Sequence, residues 1–194
     1  MNLRVRTDDI KEAGLDLRRE LPQSELAAIL SAEPPTGFAA TAPAELHVRF
    51  ERVNERDIVA RGEIDLAATA GCRRCLKDVS VQVPVRFELD FVNAAKVPEL
   101  APARSEDEDS GEGEIGGSFS ADEADQVVYS GKELDLEPVV REQILLALPM
   151  DAVCTEDCKG LCQVCGGNLN EAECACDRHV PDPRWAGLKN IKLT

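Results

Sequence analysis

The sequence predicts an α+β protein: an antiparallel β-meander or small barrel, packed by one or two helices and followed by a C-terminal cysteine-rich module. Three observations carry that expectation. Residues 79–91 place Val79, Val81, Val83, Val85, Phe87, Leu89 and Phe91 at strict period two, the mark of a long strand with one buried face. Two shorter alternating runs precede it. Six cysteines then crowd residues 154–176, after a single earlier pair at Cys72 and Cys75.

Taken in chain order, residues 2–6 read as a short strand. Residues 24–32 read as a short helix, with Ser24 as N-cap and Leu26 and Ile29 three apart on one face. The segment 33–43 is rich in turn residues and reads as a linker. Residues 46–53 alternate through Leu46, Val48 and Phe50. Residues 57–68 put Ile58, Ala60, Ile64 and Leu66 on one side, and Asn54 to Asp57 between the two runs suit a hairpin turn. Pro84, on the polar side of the long run, lacks an N–H for the ladder and implies an edge position or a bulge. Residues 135–148 read as a helix capped by Asp135, with Pro138 in its first turn and Val140, Ile144 and Leu148 along one face. Pro149 ends it. This helix is expected to pack on the apolar face of the meander.

The chain thus divides into an N-terminal arm (1–43), a β-meander core (44–150) and a cysteine-rich segment with a tail (151–194). The core contains an acidic loop at 99–125. That loop holds ten carboxylates and one arginine, and so carries −9 of the net charge of −15. It buries too little to offset its ordering entropy and is expected to be disordered, either as a solvated linker or as a tether for a basic partner. The charge balance argues against nonspecific nucleic-acid binding by the whole surface, because affinity for phosphates comes largely from Lys and Arg. No apolar run reaches the length of a transmembrane helix, and the first residues lack the apolar region of a secretory signal. A cytoplasmic location follows as the expectation, with no membrane partner. There thiols stay reduced, and eight cysteines read as metal ligands or redox groups before they read as disulfides.

Cys72 and Cys75 sit on the turn between two expected strands. A C-x-x-C turn aims two sulfurs at one point, half of a tetrahedral shell. A redox role is the alternative, but redox C-x-x-C motifs usually open a helix in a βαβ context. In the C-terminal group, Cys162-x-x-Cys165-Gly166 is the strongest unit, since glycine frees the backbone to fold round a metal. Cys174-x-Cys176 would complete that quartet. Cys154 and Cys158 are then left to pair with Cys72 and Cys75. A competing partition joins Cys158, Cys162 and Cys165 with either Cys174 or Cys176, and His179 is a further candidate to replace a cysteine. Zinc is the expected ion, one or two per chain. An iron–sulfur cluster also takes four thiolates, but C-x-x-C-G knuckles favour zinc.

Full thiolate shells leave no position for water or substrate, so the metal reads as structural. With only His47 and His179 available, acid–base candidates are few. No catalytic residue, cofactor-binding residue or small-molecule substrate is assigned, and the chain does not read as an enzyme. His47 lies on the strand face opposite Leu46 and Val48, as a solvent or packing residue. In the tail, Asp182 and Pro183 start a short helix to about Leu188. There Trp185 and Leu188 either clamp the tail to the cysteine module or present a small contact patch with Arg184, Lys189 and Lys192.

Together these motifs resemble the YceD family of large ribosomal RNA subunit accumulation proteins. The resemblance rests on Cys72-Arg-Arg-Cys75-Leu76 ahead of the long strand, the acidic loop and the helix ending LLALP. CKGLCQVCGGNLN, CAC and DPRWAGL follow, so that it covers roughly residues 40–194. It implies a non-enzymatic role in making or accumulating 23S ribosomal RNA. It also implies partners among ribosome assembly intermediates, through 23S rRNA itself or a small basic ribosomal protein. The alternatives are a zinc-thiolate redox switch and a metal donor.

Overall fold

The computed structural model of the chain describes residues 3–54, 57–94, 126–177 and 184. The acidic segment 99–125, His179, Trp185 and the expected tail helix lie outside them. The chain divides into two compact units. One combines Met1–Ala68 with Val81–Pro149, and the other combines Thr69–Ser80 with Met150–Thr194.

The elements are β1 (Arg4–Arg6), β2 (Leu15–Leu21), α1 (Gln23–Leu30), β3 (Phe38–Ala40), β4 (Ala44–Arg52), β5 (Ile58–Gly71), β6 (Asp78–Asn93), β7 (Gln126–Tyr129), β8 (Glu133–Asp135) and α2 (Glu137–Ala147). The three alternating runs of the sequence become β4, β5 and β6. The main sheet has the order β2-β4-β5-β6-β7, with β3 also on β5, while β1 and β8 form a two-stranded sheet. Among the described residues β2 and β7 do not pair, so the sheet is an open meander rather than a closed barrel. β4 is antiparallel to both β2 and β5. β7 instead runs parallel to β6, a pairing that no local pattern announces.

The core follows from the alternation. Along β4, Leu46, Val48 and Phe50 are buried; along β5, Ile58, Ala60, Ile64 and Leu66 are; along β6, Val83, Val85, Leu89 and Phe91 are. Register places Leu46 opposite Ile64 and Phe50 opposite Ala60, so apolar side chains meet across the ladder. Leu26, Ile29 and Leu30 of α1 and Val139, Val140 and Ile144 of α2 belong to the same cluster, with Leu148 packed at its margin. Burying each large side chain is worth about 1.5–3 kcal/mol.

Helix ends depart in detail from expectation. α1 begins at Gln23 with extended Pro22 as its N-cap, and no side chain caps it; Ser24 is already inside the helix, where a hydroxyl cannot cap. At α2 the N-cap is Leu136 with no side-chain cap, not Asp135; Asp135 lies one residue earlier, where its Oδ1 accepts the Glu137 N–H at 3.0 Å. Leu148 leaves the helix in an extended conformation, as a residue before proline must.

β2, β3, β7 and β8 carry no clear sequence signature. β2 alternates only through Leu17 before Arg18, Arg19 and Glu20 crowd it, and it is an edge strand, where charge guards against aggregation. The other three strands have three or four residues each. Pro84 fits the position expected of it. β7 pairs with β6 only at Asp90–Asn93, so among the described pairs the strand is an edge at Pro84. The N-terminal residues are tied in by backbone bonds, Leu136 N–H to Leu3 O at 2.9 Å and Thr7 N–H to Lys132 O at 2.9 Å. The Arg52 guanidinium adds bonds to Thr7 O at 2.6 Å and Ile10 O at 3.1 Å.

The outer face of the sheet is a ladder of ion pairs. Arg49 bridges Asp16 and Glu51, and Arg61 bridges Glu51 and Glu88. His47 joins this face, with Nδ1 3.3 Å from Glu63 Oε1 and Nε2 3.4 Å from Asp16 Oδ1. Each pair is exposed and contributes little alone, but together they match the β2–β4–β5–β6 order. Among the described residues no helix is long and apolar enough to cross a membrane.

Gly62 is buried opposite Val48, and the Phe87 ring fills the space above it. A Cβ at Gly62 would fall 2.0 Å from Phe87 Cζ. Gly62→Ala is therefore expected to lower stability by about 1–3 kcal/mol in urea unfolding, and Phe87→Leu in that background should restore part of the loss. An unchanged midpoint for Gly62→Ala would mean that the ring does not occupy this gap.

Candidate metal centres

The eight cysteines gather into two quartets within the second unit: Cys72, Cys75, Cys154 and Cys158, and Cys162, Cys165, Cys174 and Cys176. Within each quartet all four sulfurs lie within 4.8 Å of one another. The alternative grouping of Cys158 with Cys162 and Cys165 is not formed.

Each quartet starts from the same backbone device. In the first turn, the Leu76 N–H donates to Cys72 O at 2.8 Å and the Cys72 N–H donates to Lys77 O at 2.7 Å. In the second, the Gly166 N–H donates to Cys162 O at 2.8 Å and the Cys162 N–H donates to Gly167 O at 2.8 Å. Five residues on, the chain has returned to its start, so both sulfurs of each C-x-x-C face one point. The fifth residue of each turn takes positive φ, 60° at Leu76 and 72° at Gly166. Glycine adopts this at no steric cost, and leucine does not.

The first quartet is completed by zipping the hairpin turn to the C-terminal segment. The Arg73 N–H donates to Ala152 O at 2.8 Å, and the Leu161 N–H donates to Arg74 O at 3.1 Å. The Arg74 guanidinium donates to Glu156 O at 2.7 Å and Cys158 O at 3.1 Å. Arg73 pairs with Asp151 and Lys77 with Glu171. These contacts set Cys72 Sγ 3.9 Å from Cys158 Sγ, and Cys75 Sγ 3.7 Å from Cys154 Sγ. A disulfide would bring two sulfurs to about 2.05 Å. Four sulfurs about 2.3 Å from a central ion, arranged as a tetrahedron, lie about 3.8 Å apart. The observed spacings match a shared ion and do not match bonded pairs.

The two quartets differ in exposure. Cys72, Cys75 and Cys158 are buried and only Cys154 is exposed; in the other quartet Cys162 alone is buried. Their electrostatics run in parallel. The Cys75 backbone N–H, seconded by that of Cys154, lowers the Cys72 thiol to about 6. The N–H groups of Cys165 and Val164 do the same for Cys162, also to about 6. At Cys75 the Lys77 N–H favours the thiolate, but burial and the neighbouring sulfurs outweigh it and push the thiol up to about 12. Cys176 is likewise pushed up to about 12, chiefly by the Cys165 sulfur. Each quartet thus joins a sulfur that ionises readily to one that holds its proton against its neighbours. A divalent cation removes that repulsion, so binding releases protons.

Sequence reasoning missed the polar groups round these sulfurs. Arg74 holds the carbonyl of Cys158. The Asn170 Nδ2 donates to Cys158 Sγ at 3.3 Å. An amide nearby in sequence was the only available signal, because such contacts depend on the path of the intervening loop.

A family model described as large ribosomal RNA subunit accumulation protein YceD matches residues 60–192. A maize protein named as a chloroplastic YCED homolog 1 of that kind is 31% identical over 59% of this chain and 42% of its own length. Its Arabidopsis thaliana counterpart is 28% identical over 68% of this chain and 43% of its own length. An uncharacterized protein of Mycobacterium tuberculosis is 32% identical over 74% of this chain and 59% of its own. The chain therefore spans less than half the length of the plant relatives it matches. No solved structure gives a significant match.

The equivalence of the two turns predicts opposite outcomes for one substitution in each. Leu76→Gly should raise the unfolding free energy in urea by about 1 kcal/mol of relieved left-handed strain, whereas Gly166→Ala should lower it by about the same amount. A destabilising Leu76→Gly would show that the leucine side chain contributes more than its backbone costs.

Proposed function

Because the chain belongs to the YceD family of large ribosomal RNA subunit accumulation proteins, we propose that it is a non-catalytic factor for the synthesis, processing or accumulation of 23S ribosomal RNA. In this reading each cysteine quartet holds one structural zinc ion. The observation that carries it is the family match over residues 60–192, a span that contains all eight cysteines.

The donor chemistry supports zinc. Cys₄ sets are its usual structural shell, and a closed shell polarises no substrate. Such an ion would also stabilise the second unit. Among its described residues the apolar cluster consists of Cys72, Cys75 and Cys158 with Val79 and Leu161 packed against them, a small core for a segment of this length. In small metal domains the binding free energy is the folding free energy. Zinc bound by Cys72, Cys75, Cys154 and Cys158 would fix the hairpin turn to residues 151–158. Zinc bound by Cys162, Cys165, Cys174 and Cys176 would close the following loop.

The partners follow from family and charge. Ribosome assembly intermediates are the proposed targets, reached through 23S rRNA or through a basic ribosomal protein. A carboxylate-rich stretch at 99–125 suits a basic protein, because complementary charge steers encounter and selects partners. The cytoplasm, where thiols stay reduced, is the proposed setting.

A strain lacking the protein should show a lowered ratio of large-subunit to small-subunit ribosomal RNA. The wild-type gene should restore it, and a Cys72→Ser, Cys75→Ser variant should not. Tagged protein should recover large-subunit precursors from lysate, and nuclease treatment then separates RNA from protein contacts. An unchanged subunit ratio in the deletion strain would sink the proposal. A Cys72–Cys75 disulfide cycling at a thioredoxin-like potential would favour a redox switch instead.

A further inference from the structure

The two quartets are not independent. Residues 166–173 form a loop whose two ends are the ligand candidates Cys165 and Cys174 of the second quartet. From that loop Asn170 reaches the first quartet, donating from Nδ2 to Cys158 Sγ at 3.3 Å. Its amide is held on both sides. Oδ1 accepts the Lys159 N–H at 2.8 Å, which turns Nδ2 toward the sulfur. Nδ2 and the Asn170 N–H also donate to Asn168 Oδ1 at 2.8 Å and 3.0 Å.

The same loop makes further contacts with the first turn and its surroundings. The Leu169 N–H donates to Gly160 O at 2.9 Å, Leu161 bridges Asn168, and Glu171 pairs with Lys77, two residues after Cys75. One loop therefore touches both halves of the first quartet, the hairpin turn through Lys77 and the C-terminal segment through Cys158. Cys165 and Cys174 flank that loop, and their sulfurs lie within 4.8 Å of each other, so an ion that drew them together would fix both of its ends.

We propose that Asn170 is a positioning residue that couples the two metal sites, so that zinc in either quartet strengthens the hold of the other. The inference rests on the reading of both quartets as zinc sites. A divalent ion with four thiolates carries two net negative charges, and an N–H directed at a sulfur stabilises that excess. Groups that orient or bond to ligands in this way typically change metal affinity by 10–100-fold when removed. Filling the second quartet orders the loop and delivers the amide to Cys158. Coupling of this kind is reciprocal: if the second ion strengthens the first site by some factor, the first ion strengthens the second by the same factor.

The test uses the full chain loaded with zinc, with ion count read by native mass spectrometry and affinity read by competition with a chromogenic zinc chelator. Four proteins form a cycle: wild type, Asn170→Asp, Cys174→Ser with Cys176→Ser, and the combination. Asp keeps the shape and the acceptor for Lys159 but removes the N–H to sulfur. Cadmium-113 resonances of the substituted protein supply a second readout. Asn170→Asp should shift the resonance of the first site and leave that of the second nearly unmoved. The expected result is two ions in the wild type and a loss of about tenfold or more in first-site affinity on Asn170→Asp. Emptying the second quartet should produce a comparable loss, and in the Asn170→Asp background it should add little. Two ions in the wild type with equal first-site affinity in all four proteins would overturn the coupling alone. Fewer than two ions in the wild type would overturn the two-site reading and the coupling with it.

Discussion

Among the described residues of the second unit, the buried cluster is built from sulfur. Around the first quartet the cluster of buried residues is itself made of cysteines, Cys72, Cys75 and Cys158. Four thiols within 4.8 Å of one another, with Cys72–Cys158 at 3.9 Å and Cys75–Cys154 at 3.7 Å and no bond between them, are an unfavourable arrangement of ionisable groups. The backbone turns, the Arg74 bonds to Glu156 O and Cys158 O and the amide of Asn170 all converge on that arrangement. Such convergence makes physical sense when a cation occupies the centre, because the cation turns mutual repulsion into the main source of cohesion.

The first unit is stabilised by different means. Its strands bury one face, and both helices return apolar side chains to that face. The opposite face carries carboxylates and guanidinium groups in cross-strand rows. Apolar burial supplies most of the stability and leaves register to be chosen among alternatives two residues apart. The rows of charge, the Gly62–Phe87 fit and the bonds from Arg52 to the N-terminal carbonyls all select one register. Residues 69–80, which include the end of β5 and the start of β6, belong to the second unit, so two long strands supply the covalent base of the first C-x-x-C turn.

What could be read from the sequence follows from the range of each interaction. Period-two alternation is local, so β4, β5 and β6 were legible, and so was α2 with the prolines at either end. The C-x-x-C turns were legible for the same reason, because four consecutive residues determine their geometry. β3, β7 and β8 were not, since short strands take their identity from the neighbour they pair with, nor was β2, where charged residues at 18–20 break the alternation; the parallel β6–β7 pair needs a connection that local pattern does not describe. Asn170 was hidden for a related cause: its target lies twelve residues back and is reached only once the loop has closed. Leu76 is the reverse case. The motif located it, but only the equivalence with Gly166 revealed the backbone strain it carries.

X-ray absorption at the zinc edge, on protein loaded with two equivalents and freed of loose metal, tests whether the eight thiolates make two closed all-sulfur shells round zinc. Two closed shells give four sulfur scatterers per zinc at about 2.3 Å and no light-atom contribution to the first shell. A first shell with nitrogen or oxygen at about 2.0 Å would contradict this, since an open or histidine-bearing site would then replace at least one of the closed quartets.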